Sequence, residues 1–335
     1  MSDPAKNSPP IGSSLVSIAA GLPTPIQTGF WKAAGRLVGG ALATPAALLR
    51  RPAQAVEDKT DATSIVTRRI AEAVADRAAS DPEILERAMQ SLVREEFRKQ
   101  SNKESVIVAT AETLREKISD PSTIIDEEIE DDWMNVFVRY AEDASSERMQ
   151  KLWGRVLAGE IRKPGKFSLS TIRFLSELDT RTAEFFEEVA RCRIRDGIFF
   201  SKQRNSGPFF GKLLELESAG LLQVGAGMLS REYISDDRGV IFINGEKFGI
   251  RAFAPKGTKI TIPFAFLTRL GLEICDLLPP ADEEDEIKLI SSHINADYSK
   301  DKKFTRAERG AMAREASKLI FRPIEKLWEN SETDV

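Results

Sequence analysis

The stretch that decides the fold is DWMNVFVRYAEDASSERMQKLWGRVLAGEIRKPGKFSLSTIRFLSELD, residues 132–179. Apolar residues recur in it every three or four positions, which is the spacing of one face of an α-helix. Residues that cap helix N-termini precede each apolar run, and Lys163-Pro164-Gly165 ends one of the runs. The pattern predicts a compact helical block over residues 126–192, with buried Trp153 and with helices that begin near Asp132, Ser145 or Ser146, Ser168 and Thr180.

On the N-terminal side of this block, residues 59–120 are predicted to form charged helices. Asp81-Pro82 is a helix start, because Asp caps a helix and Pro is tolerated at its first position. The stripe that follows is apolar, and the other faces are dense in Arg, Glu and Lys. Because such helices pair in hairpins and coiled coils, we predict a homo-oligomer through residues 59–118. The apolar residues are Ile84, Leu85, Ala88, Met89, Leu92, Val93 and Phe97, with Val108, Ala111, Leu114 and Ile118 in a further helix.

On the C-terminal side, residues 193–280 are predicted to form a winged-helix-like α+β domain. A helix that ends at Gly220 leads into short alternating strands, Asn244-Gly245 marks a hairpin, and Thr268 caps a last helix. Residues 281–335 are predicted to be a helical tail, because Thr305 and Glu308 form a capping box and Pro323 kinks or ends a helix. The whole chain is therefore expected to be α+β and mostly α.

The N-terminal segment, residues 1–58, is basic, apolar and expected to be partly disordered. Its stretch from Pro4 to Val56 has no acidic residue and carries +5, whereas the chain as a whole carries −4. The uncharged run 37–49 has 13 residues, and a bilayer span needs about 20. Three interpretations are open: an arm packed on the helical body or on another subunit, an interfacial element on anionic lipid, and a single span. The candidate membrane contacts are Phe30, Trp31, Lys32, Arg36, Leu37, Val38, Leu42, Arg50 and Arg51.

The interfacial interpretation determines the predicted location and partners. No secretory signal is expected at the start of the chain, and two cysteines suit a reducing compartment. We therefore predict a cytoplasmic protein, peripheral to the inner membrane. Its predicted partners are an anionic membrane surface, a protein partner, or both.

The composition provides little material for catalysis. The chain has one histidine, His293, and two cysteines, Cys192 and Cys275, and it contains no P-loop, GxGxxG unit or GxSxG elbow. The acidic stretches 126–132 and 282–286 lack the glycine turn of a calcium loop, which favours solvated helix starts over metal sites. We predict no catalytic residues, no cofactor and no metal, and we interpret the histidine as a surface residue and both cysteines as structural.

A basic group in the predicted wing provides the nucleic-acid candidates Lys247, Arg251, Lys256, Lys259 and Arg269, with Glu246 as the acidic residue among them. Two interpretations are open, a duplex-binding wing and a solvated basic hairpin. The preceding helix, 208–219, carries Lys212 against Glu215 and Glu217, and those carboxylates would repel phosphate. Nucleic acid is therefore not the favoured partner.

The central block also resembles a bacterial family described only as domain of unknown function 2806. The likeness is expected to extend over roughly residues 60–330, through the LESAGLL and LTRLGLEICDLL segments. A shorter likeness, in the helix around Trp153 and the Phe-Ser helix after it, reaches the abortive-infection alpha family, which is associated with phage defence. The motifs of the first family stand here as Asp132-Trp133, Gln150–Trp153, Leu157–Glu160 and Pro164–Ser168.

These observations lead to one functional hypothesis and one alternative. The hypothesis is a non-enzymatic interaction protein that is membrane-associated and acts in phage defence of the abortive-infection type. The alternative is a DNA-binding winged-helix regulator. A hydrolase with an unrecognised site is the weakest interpretation.

Overall fold

The structure is a computed structural model that describes residues 19–38, 82–116, 127–202, 204–225, 229–315 and 318–330. The chain divides into two compact units, Met1–Ile172 and Arg173–Val335. The described elements are helices and two antiparallel sheets, which confirms the predicted α+β class. The boundary between the units falls inside the predicted block 126–192, so that the last helix of that block belongs to the second unit.

The described residues of the first unit are helical. Its helices are α1 (Thr24–Val38), α2 (Pro82–Glu116), α3 (Asp131–Glu142) and α4 (Glu147–Arg162), and α5 (Leu169–Glu177) begins in it. Two predicted starts are confirmed: α2 begins at Pro82, and Ser146 caps α4 by accepting the Met149 N–H at 3.3 Å. The further helix predicted around Val108 is wrong, because α2 runs unbroken to Glu116.

An aromatic cluster forms part of the core of this unit. Trp153 is 1% exposed, which confirms its predicted burial. Its ring meets Phe137 edge-on at 5.6 Å and stacks on Tyr140 at 5.9 Å. The neighbouring Gly154 lets α4 approach α2 closely, because a Cβ at this position would lie 2.6 Å from the Cβ of Ala109.

The Leu-Ala-Gly-Glu and Pro-Gly-x-Phe-Ser motifs close the turn between α4 and α5. The buried carboxylate of Glu160 accepts the N–H of Gly165 at 2.6 Å and the N–H of Phe167 at 3.1 Å. Burial raises the pKa of Glu160, and these N–H donors act in the opposite direction. The glutamate of this motif therefore stabilises the turn.

The second unit contains two sheets. The first has the order β1-β2-β7-β3, with β4 also paired to β7, and the second has the order β5-β6-β8-β9. Isoleucines of α9 pack against isoleucines of β5, β6 and β7 in one hydrophobic core. The elements are α6 (Thr180–Arg191), β1 (Arg193–Ile194), β2 (Gly197–Phe199), α7 (Gly207–Ser218), β3 (Leu222–Gln223), β4 (Ser230–Ile234), β5 (Val240–Asn244), β6 (Phe248–Phe253), β7 (Lys259–Leu267), α8 (Arg269–Cys275), α9 (Glu283–Lys302), β8 (Arg306–Glu315) and β9 (Lys318–Glu329).

The predicted helical tail is partly wrong. Helix α9 is present, but the segments that follow it are the strands β8 and β9, so that Thr305 and Glu308 form no capping box. Strand β8 pairs along the whole of β6, which completes the backbone hydrogen bonds of that strand. Pro323 lies in the terminal strand of the sheet next to a bulge, a position that does not require its missing N–H.

The winged-helix prediction is not confirmed. The hairpin β5–β6, which was expected to be the wing, pairs with β8 and lies in a different sheet from β3 and β7. The predicted turn at Asn244-Gly245 is present, and the buried Glu283 stabilises it from the start of α9. The carboxylate of Glu283 accepts the N–H groups of Glu246 and Lys247, each at 2.7 Å, and that of Phe248 at 3.1 Å.

Candidate interaction surfaces

The first half of α2 carries a surface of large exposed apolar side chains. Each of them is between 57% and 77% exposed. Contiguous apolar surface of this kind marks an interaction site in a folded protein. We call this surface the ridge, and it consists of Ile84, Met89, Leu92, Val93 and Phe97.

The ridge continues a stripe that the second half of the same helix buries. Val106 and Leu114 are buried against the rest of the first unit. Leu92 and Val106 are separated by two heptads and therefore lie on the same side of the helix. One apolar stripe thus runs along α2, and the described residues of the chain cover only its C-terminal half.

Charges beside the ridge are distributed unevenly. The half before Ser91 carries a net charge of −1 from Glu83, Glu86 and Arg87, whereas residues 91–99 carry +1. Two antiparallel copies of this helix would place each half against the oppositely charged half of the other copy. Two parallel copies would instead place halves of the same charge against each other. The charges of residues 91–99 are Arg94, Glu95, Glu96, Arg98 and Lys99.

The predicted membrane contacts lie mostly in α1, and the structure corrects their expected exposure. Phe30, Trp31 and Leu37 are buried. Lys32 forms an ion pair with Glu128 at 2.5 Å, and Arg36 forms one with Asp131 at 2.6 Å. Val38 is half-buried, and Leu42, Arg50 and Arg51 lie outside the described residues.

Release of α1 to a membrane would expose these apolar side chains first. Full burial of three large apolar side chains stabilises the fold by roughly 5–9 kcal/mol. A cation at an anionic surface contributes about 1 kcal/mol, so that the two described cations do not offset this loss. Of the three interpretations of the N-terminal segment, residues 24–38 therefore fit the first, an arm packed on the helical body. Along the part of the chain with assigned structure, no helix is both long and apolar enough to cross a membrane.

A cavity of about 370 Å³ lies between α1 and the acidic segment before α3. Lys32, Arg36, Glu128 and Asp131 line it, with Gly29 and Ile161 among the other lining residues. The ion pair with Lys32 lowers the pKa of Glu128. Glu127 also lines the cavity, so that three carboxylates face two cations and the cavity offers no surplus positive charge to an anionic ligand.

The predicted nucleic-acid residues do not form one patch. Lys256 pairs with Asp237 at 2.8 Å, Lys259 with Glu232, and Arg269 with Glu273 at 2.8 Å. Lys247 is exposed at the turn before β6, and Arg251 lies within β6. Helix α7 offers no free cation either, because Lys212 pairs with Glu188.

Arg251 instead belongs to a layer of arginines and phenylalanines on the β5-β6-β8-β9 sheet. Its guanidinium lies 4.4 Å from the ring centre of Phe321, and Arg306 lies 4.2 Å from that of Phe253. The rings of Phe242 and Phe321 meet edge-on at 5.7 Å. We call Phe242, Arg251, Phe253, Arg306 and Phe321 the Arg–Phe face. All five are partly exposed, and they point away from the buried core residues Ile241, Ile250 and Ala252.

Two glycines make room for this layer. A Cβ at Gly310 would lie 2.5 Å from the ring of Phe321, and a Cβ at Gly249 would lie 2.8 Å from the sulfur of Met312. The side chains of β8 and β9 therefore lie over glycine positions of neighbouring strands. The sequence did not indicate the contributions of Arg306 and Phe321, because residues 306–329 were predicted to be helical.

Both thiols and one arginine of the second unit are held in uncharged or paired forms. Burial raises the pKa of Cys192 and of Cys275 to about 11, so that both thiols are protonated near neutral pH. Arg204 binds Glu286 through two hydrogen bonds of 2.6 Å. Among the residues that the structure describes, no three His, Cys, Asp or Glu side chains are arranged to hold a metal.

Comparison with known families matches residues 86–197 to the model described as protein of unknown function, DUF2806. The matched region includes the second part of the ridge and the motifs of residues 132–168, and the predicted resemblance to this family is confirmed there. The match covers less than half of the chain and does not reach the second sheet. The predicted likeness to the abortive-infection alpha family is not shown by this comparison. No curated protein and no solved structure matches the chain.

Proposed function

We propose that this chain is a non-enzymatic interaction protein that pairs with a second copy of itself through the ridge on α2. The observation that carries the proposal is the exposure of the ridge, which reaches 77% at Phe97. Pairing would bury these side chains and release the water that they order. The second copy is the favoured partner because it presents the same apolar stripe with a complementary charge distribution.

The charge distribution also predicts the geometry. An antiparallel pair places residues 82–90 of one copy beside residues 91–99 of the other, and the net charges of these halves are −1 and +1. The midpoint of such a pair lies near Gln90, between the ends of the ridge. Met89 and Leu92 then form its central apolar layers.

Spin labels on introduced cysteines test this geometry. Gln90→Cys, Glu83→Cys and Arg98→Cys each receive one label. The native thiols, of half-buried Cys192 and buried Cys275, are protonated at neutral pH and are expected to stay unlabelled. An antiparallel pair is expected to give a short distance at position 90. The distances at 83 and 98 should exceed it by roughly 10 Å or more, because the helix rises about 1.5 Å per residue. Equal distances at all three positions, or no measurable distance at any, would reject the proposed pairing.

Recruitment to an anionic membrane and a role in phage defence stay predictions. The first rests on the net charge of +5 in residues 4–56, and the second rests on the short likeness to the abortive-infection alpha family. Flotation with liposomes of varied anionic content tests the first. Equal recovery with neutral and anionic vesicles, or unchanged recovery after deletion of residues 22–51, would contradict membrane recruitment and favour the packed-arm interpretation of the segment.

A further inference from the structure

We infer that the Arg–Phe face is a binding site for single-stranded nucleic acid. The face has two cross-strand Arg–Phe pairs, because Phe242 is opposite Arg251 and Phe253 is opposite Arg306. Phenylalanine rings and guanidinium planes are the two side-chain groups on which unpaired bases stack. This inference is independent of the ridge, which lies in the other compact unit.

The two arginines of the face lie directly over its rings. The guanidinium centres of Arg251 and Arg306 are 4.4 and 4.2 Å from the ring centres of Phe321 and Phe253. The guanidinium of an arginine held on one side by a ring presents its other side outward. The Arg306 side chain remains 43% exposed, which leaves that side accessible.

The charges of the face favour a polyanion. Glu308 pairs with Arg306 at 3.4 Å, and Glu329 pairs with Lys326 at 2.5 Å. Arg251 and the exposed Lys247 have no ion pair among the residues that the structure describes. The carbonyl of Lys247 accepts the N–H of Met312, which places this lysine at the end of the same sheet. Two cations are therefore available for phosphates beside the stacking layer.

The shape of the face favours single strands over duplexes. Bases in a duplex are stacked on each other and present only their edges in the grooves. A layer of rings and guanidinium planes on a sheet requires bases whose faces are accessible, and these occur in single-stranded DNA or RNA. We expect little preference for sequence, because every base has a π-face.

The test measures fluorescence anisotropy of a labelled 20-nucleotide oligo-dT and of the matching RNA, with the full-length protein at several salt concentrations. The parent protein is expected to bind at least one of them saturably. Lys247→Ala/Arg251→Ala should weaken binding about tenfold and reduce the salt slope by about 1.4, because each phosphate contact on a single strand contributes about 0.7. Phe253→Leu and Phe321→Leu should each weaken binding several-fold without changing that slope, because they remove a ring and no charge.

A matched control removes the same charge elsewhere in the unit. Arg191→Ala/Lys288→Ala changes exposed cations of α6 and α9 and should leave affinity within twofold of the parent. The melting temperature of each variant establishes that it folds, and two separate phenylalanines are tested so that one unfolded variant does not decide the outcome. The inference is overturned if the parent does not bind either oligonucleotide at 50 mM salt. It is also overturned if the control loses as much affinity as the Lys247 and Arg251 variant, or if both phenylalanine variants bind the oligonucleotides as tightly as the parent.

Discussion

Trp133 donates its indole N–H to the backbone carbonyl of Phe167 at 2.7 Å, which ties the start of α3 to the turn before α5. The Trp133 ring also stacks on Phe137 at 5.1 Å, and Phe137 contacts Trp153. These ring contacts and the indole hydrogen bond together connect three motifs that are separated in sequence: Asp-Trp, the Trp153 helix and Pro-Gly-x-Phe-Ser. The motifs of the matched family thus act as one packing unit.

This packing predicts a large effect for Trp153→Ala. Truncation of a fully buried tryptophan removes its contacts and leaves a cavity, so that the free energy of unfolding should fall by about 3–5 kcal/mol. Chemical denaturation measures the change. Arg139→Ala, at an exposed position of α3, serves as the control and should stay within about 0.5 kcal/mol of the parent. A Trp153→Ala protein as stable as the control would show that this side chain lies outside the core.

Gly310→Ala should destabilise the second sheet. The added Cβ would lie 2.5 Å from the backbone oxygen of Arg322 and 2.5 Å from the Phe321 ring, and the backbone contact cannot relax by a side-chain rotation. Overpacking of this kind costs about 1–3 kcal/mol. Gly211→Ala in α7 is the matched control, because its Cβ would meet no atom within 4 Å. That control should stabilise by about 0.5–1 kcal/mol, and a reversed order of the two variants would contradict the packing of β8 and β9.

Both cysteines should be unreactive in the folded protein. Burial raises the pKa of Cys192 and Cys275 to about 11, so that very little thiolate is present at pH 7.5. A thiol reagent such as DTNB should modify neither residue within minutes and should modify both after unfolding in guanidinium chloride. Rapid modification of one thiol in the folded state would show that its surroundings are more open than described.

His293 should make stability depend on pH in the weakly acidic range. Burial lowers the pKa of His293 below 6.5. The carboxylate of Asp297, which lies 3.1 Å from Nδ1, raises this pKa, and Lys202 lowers it further. Because the unfolded state binds the proton more tightly, the contribution of neutral His293 is present above pH 6.5 and is lost as the pH falls below it. His293→Gln should flatten the stability profile between pH 7 and 5.5. A mutant profile parallel to that of the parent would contradict this assignment.

The predictability of the fold differs between the two units for a physical reason. The helices of residues 131–191 carry both their apolar period and their caps locally, and Ser146 and Lys163 stand at the predicted ends. Residues 306–329 contain a local helix signal at Thr305 and Glu308, but pairing with β6 outweighs it, because strand pairing depends on a distant partner. The Arg–Phe face joins residues from four strands, so that the sequence indicated Arg251 alone among its members.

The exposure of α1 could not be predicted for a similar reason. A basic apolar helix has the same sequence pattern whether its apolar side meets lipid or protein. Phe30 and Trp31 are buried here because α2, α3 and α4 provide a surface for them, and no property of the segment alone specifies that surface. The ridge on α2, by contrast, was predicted from the same periodicity as the buried half of that helix.

The most direct test of the central claim is the mass of the protein in solution by sedimentation equilibrium. The parent should sediment as a species of twice 37.2 kDa. Leu92→Glu/Phe97→Glu places two charges in the ridge and should yield the monomer, with an unchanged circular dichroism spectrum. The control Arg115→Gln/Arg139→Gln changes the net charge equally, outside the ridge, and should remain a dimer. A monomeric parent at 100 µM, or a Leu92→Glu/Phe97→Glu variant that stays dimeric, would contradict pairing through α2.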